Sequence, residues 1–260
     1  MAKHKMTIRY IIGTLLSIPL LPLMYFHGKR IRKTVPILPE AKGKEGLVKH
    51  HSKTVFRLLC LGESTMAGVG VSTHEEGFAG SLAKALSHII EANIKWEVIA
   101  KSGYTAKQVA EKLVPKIGNQ PDLIVIGLGG NDSFQLNSPM QWKKDIQTLI
   151  DIIRVKHPST PIAFTNMPAT KEFPAFTWPI RFVVGGLGEL LGEALSEVVD
   201  INNNVYFSSE VIDLNVWTKR YNLKNVKSDF FSDGVHPAKL TYQVWAKDFA
   251  MFLDTMILKK

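Results

Sequence analysis

Cysteine occurs once in the 260 residues, at position 60, so no disulfide can close within the chain. Cys60 lies in an apolar run and reads as a small core residue. Without disulfides, either side of a membrane remains open. Repeats and low-complexity blocks are also missing. That leaves one sizeable domain with a full core, or at most two small ones. Neither GxGxxG nor GxxxxGK follows the first strand-like run, so dinucleotide and P-loop nucleotide binding are unsupported. Acidic residues are missing from residues 1–33, which hold seven Lys or Arg. Eleven of the 32 basic residues but only two of the 23 acidic ones fall within the first 53. The remaining 21 basic and 21 acidic residues balance, so the net charge of +9 belongs to the N-terminal segment. The folded part is neutral and gives no nucleic-acid footprint.

Within that segment, residues 10–26 read "YIIGTLLSIPLLPLMYF", 17 residues without a charge. A bilayer core takes roughly 20. Lys3, Lys5 and Arg9 precede the run and "GKRIRK" follows it. A cleaved signal peptide calls for small residues after the apolar stretch, and "MYFHGKR" supplies a poor site. A buried helix conflicts with Pro19, Pro22 and the basic flanks. The favoured reading of residues 1–33 is a membrane anchor or signal-like segment, with Tyr10 and Tyr25 at the interfaces. Basic residues on both flanks leave the side of the membrane open. Residues 34–53 read as a polar tether, with His50 and His51 as solvated linker residues, not metal ligands. The folded domain then covers residues 54–260.

From residue 54 apolar runs alternate with helical spacing. "VFRLLCL", "KWEVIA", "DLIVIGL", "PIAFTNM" and "NVYFSS" read as strands. Residues 76–93, 105–117, 138–157, 187–202 and 237–257 read as helices, with Ser138 as N-cap and Pro139 at the first position of the third. Continuous apolar strands separated by helices imply a parallel sheet covered on both faces, a three-layer α/β/α sandwich.

In such a fold ligands bind beyond the carboxyl ends of the strands. Ser64 follows the first strand in "GES", Gly103 the second in "KSGYT", and Asn131-Asp132 the third in "GGND". Asp233 and His236 precede the last helix in "SDGVHP". Each is bland alone: a turn serine, a turn glycine, a loop pair, a structural histidine. Together they suit one chemistry. A serine needs a base in contact, which His236 can supply. The other ring nitrogen needs an acceptor, and Asp233, three residues earlier, can reach it. Backbone N–H groups of Ser64 and Gly103 and the Asn131 amide can face an oxyanion.

These motifs resemble the SGNH/GDSL hydrolase superfamily in order, spacing and strand context over residues 55–255. The resemblance implies a flavodoxin-like fold and hydrolysis of esters or thioesters by Ser64, His236 and Asp233. It also implies an oxyanion hole of Ser64, Gly103 and Asn131, with no metal or cofactor. Glu63 stands where the family usually has Asp. Asp132 is implied as a loop support, not the triad acid.

Residues 167–188, "MPATKEFPAFTWPIRFVVGGLG", follow the fourth strand at the same edge. Long loops of this kind are often functional. Phe173, Phe176, Trp178 and Phe182 are candidates to wall an acyl pocket or rest on a membrane; a packed surface loop is the plain alternative. Trp142, Trp217 and Trp245 read as packing residues. The sequence thus points to a membrane-tethered serine esterase or lipase acting on an acyl ester or lipid. Two alternatives stay open: acyl transfer to an envelope glycan or lipid by the same triad, and a catalytically silent binding protein.

Overall fold

The computed structural model describes residues 2–118, 120–224 and 227–258. Six strands form one sheet: β1 (Glu45–Val48), β2 (Val55–Gly62), β3 (Asn93–Ala100), β4 (Leu123–Gly127), β5 (Ile162–Phe164) and β6 (Val205–Phe207). The order is β1-β3-β2-β4-β5-β6. All neighbours are parallel except β1, which runs antiparallel along the β3 edge. The five parallel strands match those read from the sequence, and their order is flavodoxin-like.

β1 lies inside the stretch read as a tether. Ala41 N–H donates to Ala67 O, and Val98 N–H donates to Lys44 O. Ala41 is buried. Four residues of mixed polarity on a sheet edge carry little periodic signal, which is why the strand was not legible.

Ten α-helices are described. α1 (Ala2–Ser17) and α2 (Leu21–Thr34) are joined by a tighter turn at Ile18–Leu20. α3 (Phe78–Ile90), α4 (Ala106–Lys112), α5 (Gly130–Phe134) and α6 (Pro139–Lys156) alternate with the strands. α7 (Trp178–Ile180), α8 (Gly186–Val199), α9 (Leu214–Arg220) and α10 (Lys239–Leu253) complete the set. Ser138 Oγ caps α6 by accepting from Gln141 N–H at 3.2 Å, with Pro139 at the first position, as its sequence suggests.

The strand period of two divides the core between the sheet's faces. Leu58 and Cys60 of β2 face α3 and α10, where Leu82, Leu86 and Phe249 pack. Leu59 and Leu61 face α4, α6 and α8, where Val109, Ile146 and Leu191 pack. All five residues of β4 are buried, so it carries helices on both sides. Each aliphatic side chain buried there contributes roughly 1.5–3 kcal/mol.

α1 and α2 do not stand apart. Met6, Tyr10, Gly13, Ser17, Met24, His27 and Ile31 form a buried or half-buried seam against the domain. The stretch 167–188 is irregular only in its first part; from Trp178 it is helical, passing through a wider turn at Arg181–Gly185 into α8.

Candidate active site

The chain crosses from one side of β2 to the other between β3 and β4, so the crevice of this sheet opens at the ends of β2 and β4. Gly62 and Gly127 are paired there. Gly62 has φ +153°, and a Cβ on it would strike the Gly127 carbonyl and the Met66 side chain. Glycine therefore lets β2 stop abruptly and turn. Glu63 N–H donates to Gly127 O at 3.1 Å, Ala67 N–H to Glu63 O at 2.8 Å, and Val69 N–H to Ser64 O at 3.1 Å. Ser64 sits half-buried at the head of this turn.

Before α10, the segment carrying Asp233 and His236 folds back on itself. Asp233 Oδ1 accepts from the N–H groups of Val235 (2.9 Å) and His236 (2.7 Å). Its Oδ2 lies 2.7 Å from His236 Nδ1. The Asp233 side chain is fully buried, while His236 keeps 24% exposure. Burial works against the Asp233 charge, but the imidazole and the two N–H groups outweigh it and hold the carboxyl below its usual range. An ionised Asp233 fixes the proton on Nδ1 and leaves Nε2 as an acceptor.

Ser64, Asn131 and His236 line one cavity of about 60 Å³. Phe134, Phe173, Leu214 and Trp217 wall it. Among the described residues Ser64 Oγ has no hydrogen-bond partner, so the Ser64–His236 bond is not closed in this state; such bonds often tighten only with substrate bound. A second cavity of about 420 Å³ shares Pro168, Ala169 and Ile212 with the first.

Gly103 is exposed on the turn after β3, with φ +85°, and is not a lining residue of that cavity. Among the described residues neither the Gly103 nor the Ser64 N–H has an acceptor. The Asn131 amide is differently placed. Its Nδ2 donates to Tyr104 O at 3.1 Å and also to Glu63 Oε2. Glu63 also accepts from Gly130 N–H at 2.7 Å and Asn131 N–H at 2.9 Å. Burial pushes the Glu63 carboxyl up to about 8, with the Asn131 and Gly130 donors pulling it down and the Asp132 carboxylate adding to the rise. Asp132 bonds to other groups than His236: it accepts from Ala106 N–H (3.0 Å) at the start of α4 and from Asn137 Nδ2 (2.7 Å). Burial raises it to about 6, against these two donors.

Of the four aromatic candidates, Phe173 lines the Ser64 cavity. Phe176 packs edge-on to Phe173 and Phe134 behind that wall. Trp178 and Phe182 are 65% and 48% exposed and line no part of it. Trp217 and Trp245 are buried packing residues that also form the cavity floor.

Two residues outside the sequence reading join the serine and histidine segments. Ser232 Oγ bonds to Gly70 O at 3.0 Å, and Tyr242 O–H donates to Val69 O at 2.8 Å. Ser232 lies within "SDGVHP", but nothing in the motif says that it points to Gly70. Among the described residues no cluster of His, Cys, Asp and Glu could hold a metal.

The family model for GDSL-like lipases and acylhydrolases matches residues 60–244. Solved structures share the fold. One is a family two carbohydrate esterase from Clostridium thermocellum in complex with cellohexaose, 17% identical, with TM-score 0.54, covering 77% of this chain and 64% of that one. A second is a GDSL-like lipase structure from Bacteroides ovatus, 22% identical, with TM-score 0.56, covering 78% and 54%. A third is the salicylyl-acyltransferase SsfX3 of a tetracycline biosynthetic pathway, 12% identical, with TM-score 0.54, covering 80% and 57%. The chain thus spans less than two thirds of each of these proteins. No curated protein matches it.

Proposed function

The chain belongs to the GDSL-like lipase/acylhydrolase family, and we propose that it is a serine hydrolase of carboxylic esters, acting through Ser64, His236 and Asp233. The observation that carries this reading is the 2.7 Å bond between His236 Nδ1 and Asp233 Oδ2, with Nε2 left free beside a cavity that Ser64 shares.

Ser64 Oγ attacks the acyl carbonyl while His236 Nε2 takes its proton. Buried, ionised Asp233 stabilises the imidazolium that results. The carbonyl oxygen becomes an oxyanion, and the unused N–H group of Ser64 is a donor for it. Asn131 is the second: its amide turns from Tyr104 O toward the oxyanion while Glu63 keeps its other hydrogen. The intermediate collapses, His236 returns the proton to the leaving alkoxide or thiolate, and an acyl-enzyme remains. Water, deprotonated by His236, releases the acid.

The apolar N-terminal helix holds the enzyme at a membrane. Among the described residues Lys5–Thr34 is the one helical run long and apolar enough to cross a bilayer, and only 6% of its most apolar window is buried.

Hydrolysis of nitrophenyl esters from acetyl to palmitoyl, by wild type and Ser64→Ala, tests the reading. Turnover that survives intact in Ser64→Ala contradicts it. Transfer of the acyl group to a hydroxyl-bearing acceptor, such as an envelope glycan or lipid, is a second reading. The 420 Å³ cavity adjoining the Ser64 site leaves room for such an acceptor, with Ser196 and Ser209 set in a mostly apolar lining. An acyl-acceptor product dominant over free acid would select transfer.

A further inference from the structure

The docking of α1 and α2 raises a conflict. Their composition suits a spanning helix, yet their inner face lies on the catalytic domain from end to end. Met6 and Tyr10 join the core cluster of α6 and α8. Arg9 pairs with Glu193. His27 Nδ1 meets Thr177 Oγ1 at 2.7 Å. Met24 and Ile31 pack on the cluster of Phe173, Phe176, Ile180 and Val184. A helix docked in this way cannot cross a bilayer. The domain surface beside it carries Lys143, Lys144, Glu189 and Glu193, which would have to enter hydrocarbon.

The outer face is different. Ile8, Ile12, Leu15, Leu16, Leu23 and Phe26 are all at least 40% exposed. Phe182 lines the groove between this helix and α8 together with Ile18 and Leu21, and continues the apolar surface. Trp178, largely exposed, sits on α7, which α2 contacts. Lys5, Lys29, Arg30, Arg32 and Lys33 flank the apolar stretch, with no acid in residues 1–33.

We propose that α1 and α2 lie in the plane of one leaflet of an anionic lipid bilayer, docked on the catalytic domain, and form with Trp178 and Phe182 a single membrane-binding face. Isoleucine and leucine side chains enter the acyl region, and the basic flanks meet anionic headgroups. Phe173 then has two duties. It belongs to the cluster on which Met24 and Ile31 pack, and it walls the Ser64 cavity. The membrane face and the catalytic wall are two sides of one aromatic cluster. The inference rests on the hydrolase reading only in its consequence: the ester substrate is drawn from the leaflet on which the domain rests.

Topology decides it. Cys60 is buried, so introduced cysteines report alone. Full-length protein is expressed in host membranes containing phosphatidylglycerol, and sealed vesicles of uniform orientation are prepared. Lys5→Cys, Lys33→Cys and Val155→Cys are labelled with a membrane-impermeant maleimide before and after permeabilisation. Val155 is 83% exposed on the domain and marks its side. The proposal expects all three to react from the same side. Reaction of Lys5→Cys only from the side opposite Val155→Cys means a spanning helix and overturns it. Recovery of the protein in the soluble fraction, or loss of its N-terminal residues by processing, also overturns it. Turnover of nitrophenyl acetate by the same vesicles is measured in parallel. Same-side labelling without Ser64-dependent turnover removes the hydrolase reading and leaves the membrane face; opposite-side labelling with turnover does the reverse.

Discussion

Glu63 grips Asn131 twice: its Oε2 accepts both the Asn131 backbone N–H and the Asn131 side-chain amide. With Gly130 N–H on Oε1, three donors converge on one carboxyl. The ionised form accepts all three most strongly, because protonation uses one lone pair and removes the charge that the donors face. Burial pushes this carboxyl up to about 8. kcat of the wild type is therefore expected to rise as pH passes through that value, and a pH–rate profile of Glu63→Gln should lose this limb. Replacing the held residue, Asn131→Ala, should lower kcat by roughly 100- to 1000-fold, the usual cost of one oxyanion donor.

The same carboxyl shapes stability. A group raised in the folded state favours folding most below its unfolded value and loses that contribution as pH rises through the folded one. Glu63 rises from 4.5 to about 8, and Asp132 from 3.8 to about 6. Thermal unfolding followed by circular dichroism should show Tm falling between pH 5 and 8, with a shallower fall in Glu63→Gln. Asp233 is shifted the other way, so its contribution is lost only when pH falls through its depressed folded value.

Asp233→Asn tests the orientation of His236. An amide can meet Nδ1 without stabilising the imidazolium or enforcing the tautomer. A loss near 10⁴-fold in kcat with little change in KM is expected. Steady-state kinetics on one short nitrophenyl ester would measure it.

Phe173 forms part of the wall of the Ser64 cavity of about 60 Å³. Phe173→Ala should open it toward the space behind and move the preferred acyl chain to greater length. The ratio of kcat/KM for octanoyl over acetyl ester is the readout, and it should increase.

Tyr242 ties α10 to the loop after Ser64 through Val69 O. Tyr242→Phe leaves a buried carbonyl unpaired, which should cost about 1–3 kcal/mol. Its Tm should fall, and a smaller fall is expected for Ser232→Ala, whose Oγ is near solvent.

The parallel core was legible because burial on both faces writes itself as continuous apolar runs, as in "LIVIG" of β4. Ser64 and Asn131 were legible as strand-end residues, since a parallel sheet puts every carboxyl end on one edge; His236 follows no strand and was read from its "SDGVHP" motif before the last helix. Contacts between loops were not legible. Ser232 meets Gly70 across 162 positions, and no periodicity encodes that bond. Trp178 and Phe182 shared a composition with Phe173, yet the helical turn starting at Trp178 leaves both substantially exposed. Apolar content of residues 10–26 suggested a membrane, but the seam of Tyr10, Gly13, Ser17 and Met24 emerges only when the helix is laid on α8 and the Phe173 cluster.

The most direct test of the central claim is labelling with a fluorophosphonate, followed by intact mass and peptide mapping. The account predicts a single adduct on Ser64, absent in Ser64→Ala and slower to form in Asp233→Asn. No adduct on Ser64, or an adduct on another residue with ester turnover retained in Ser64→Ala, would contradict it.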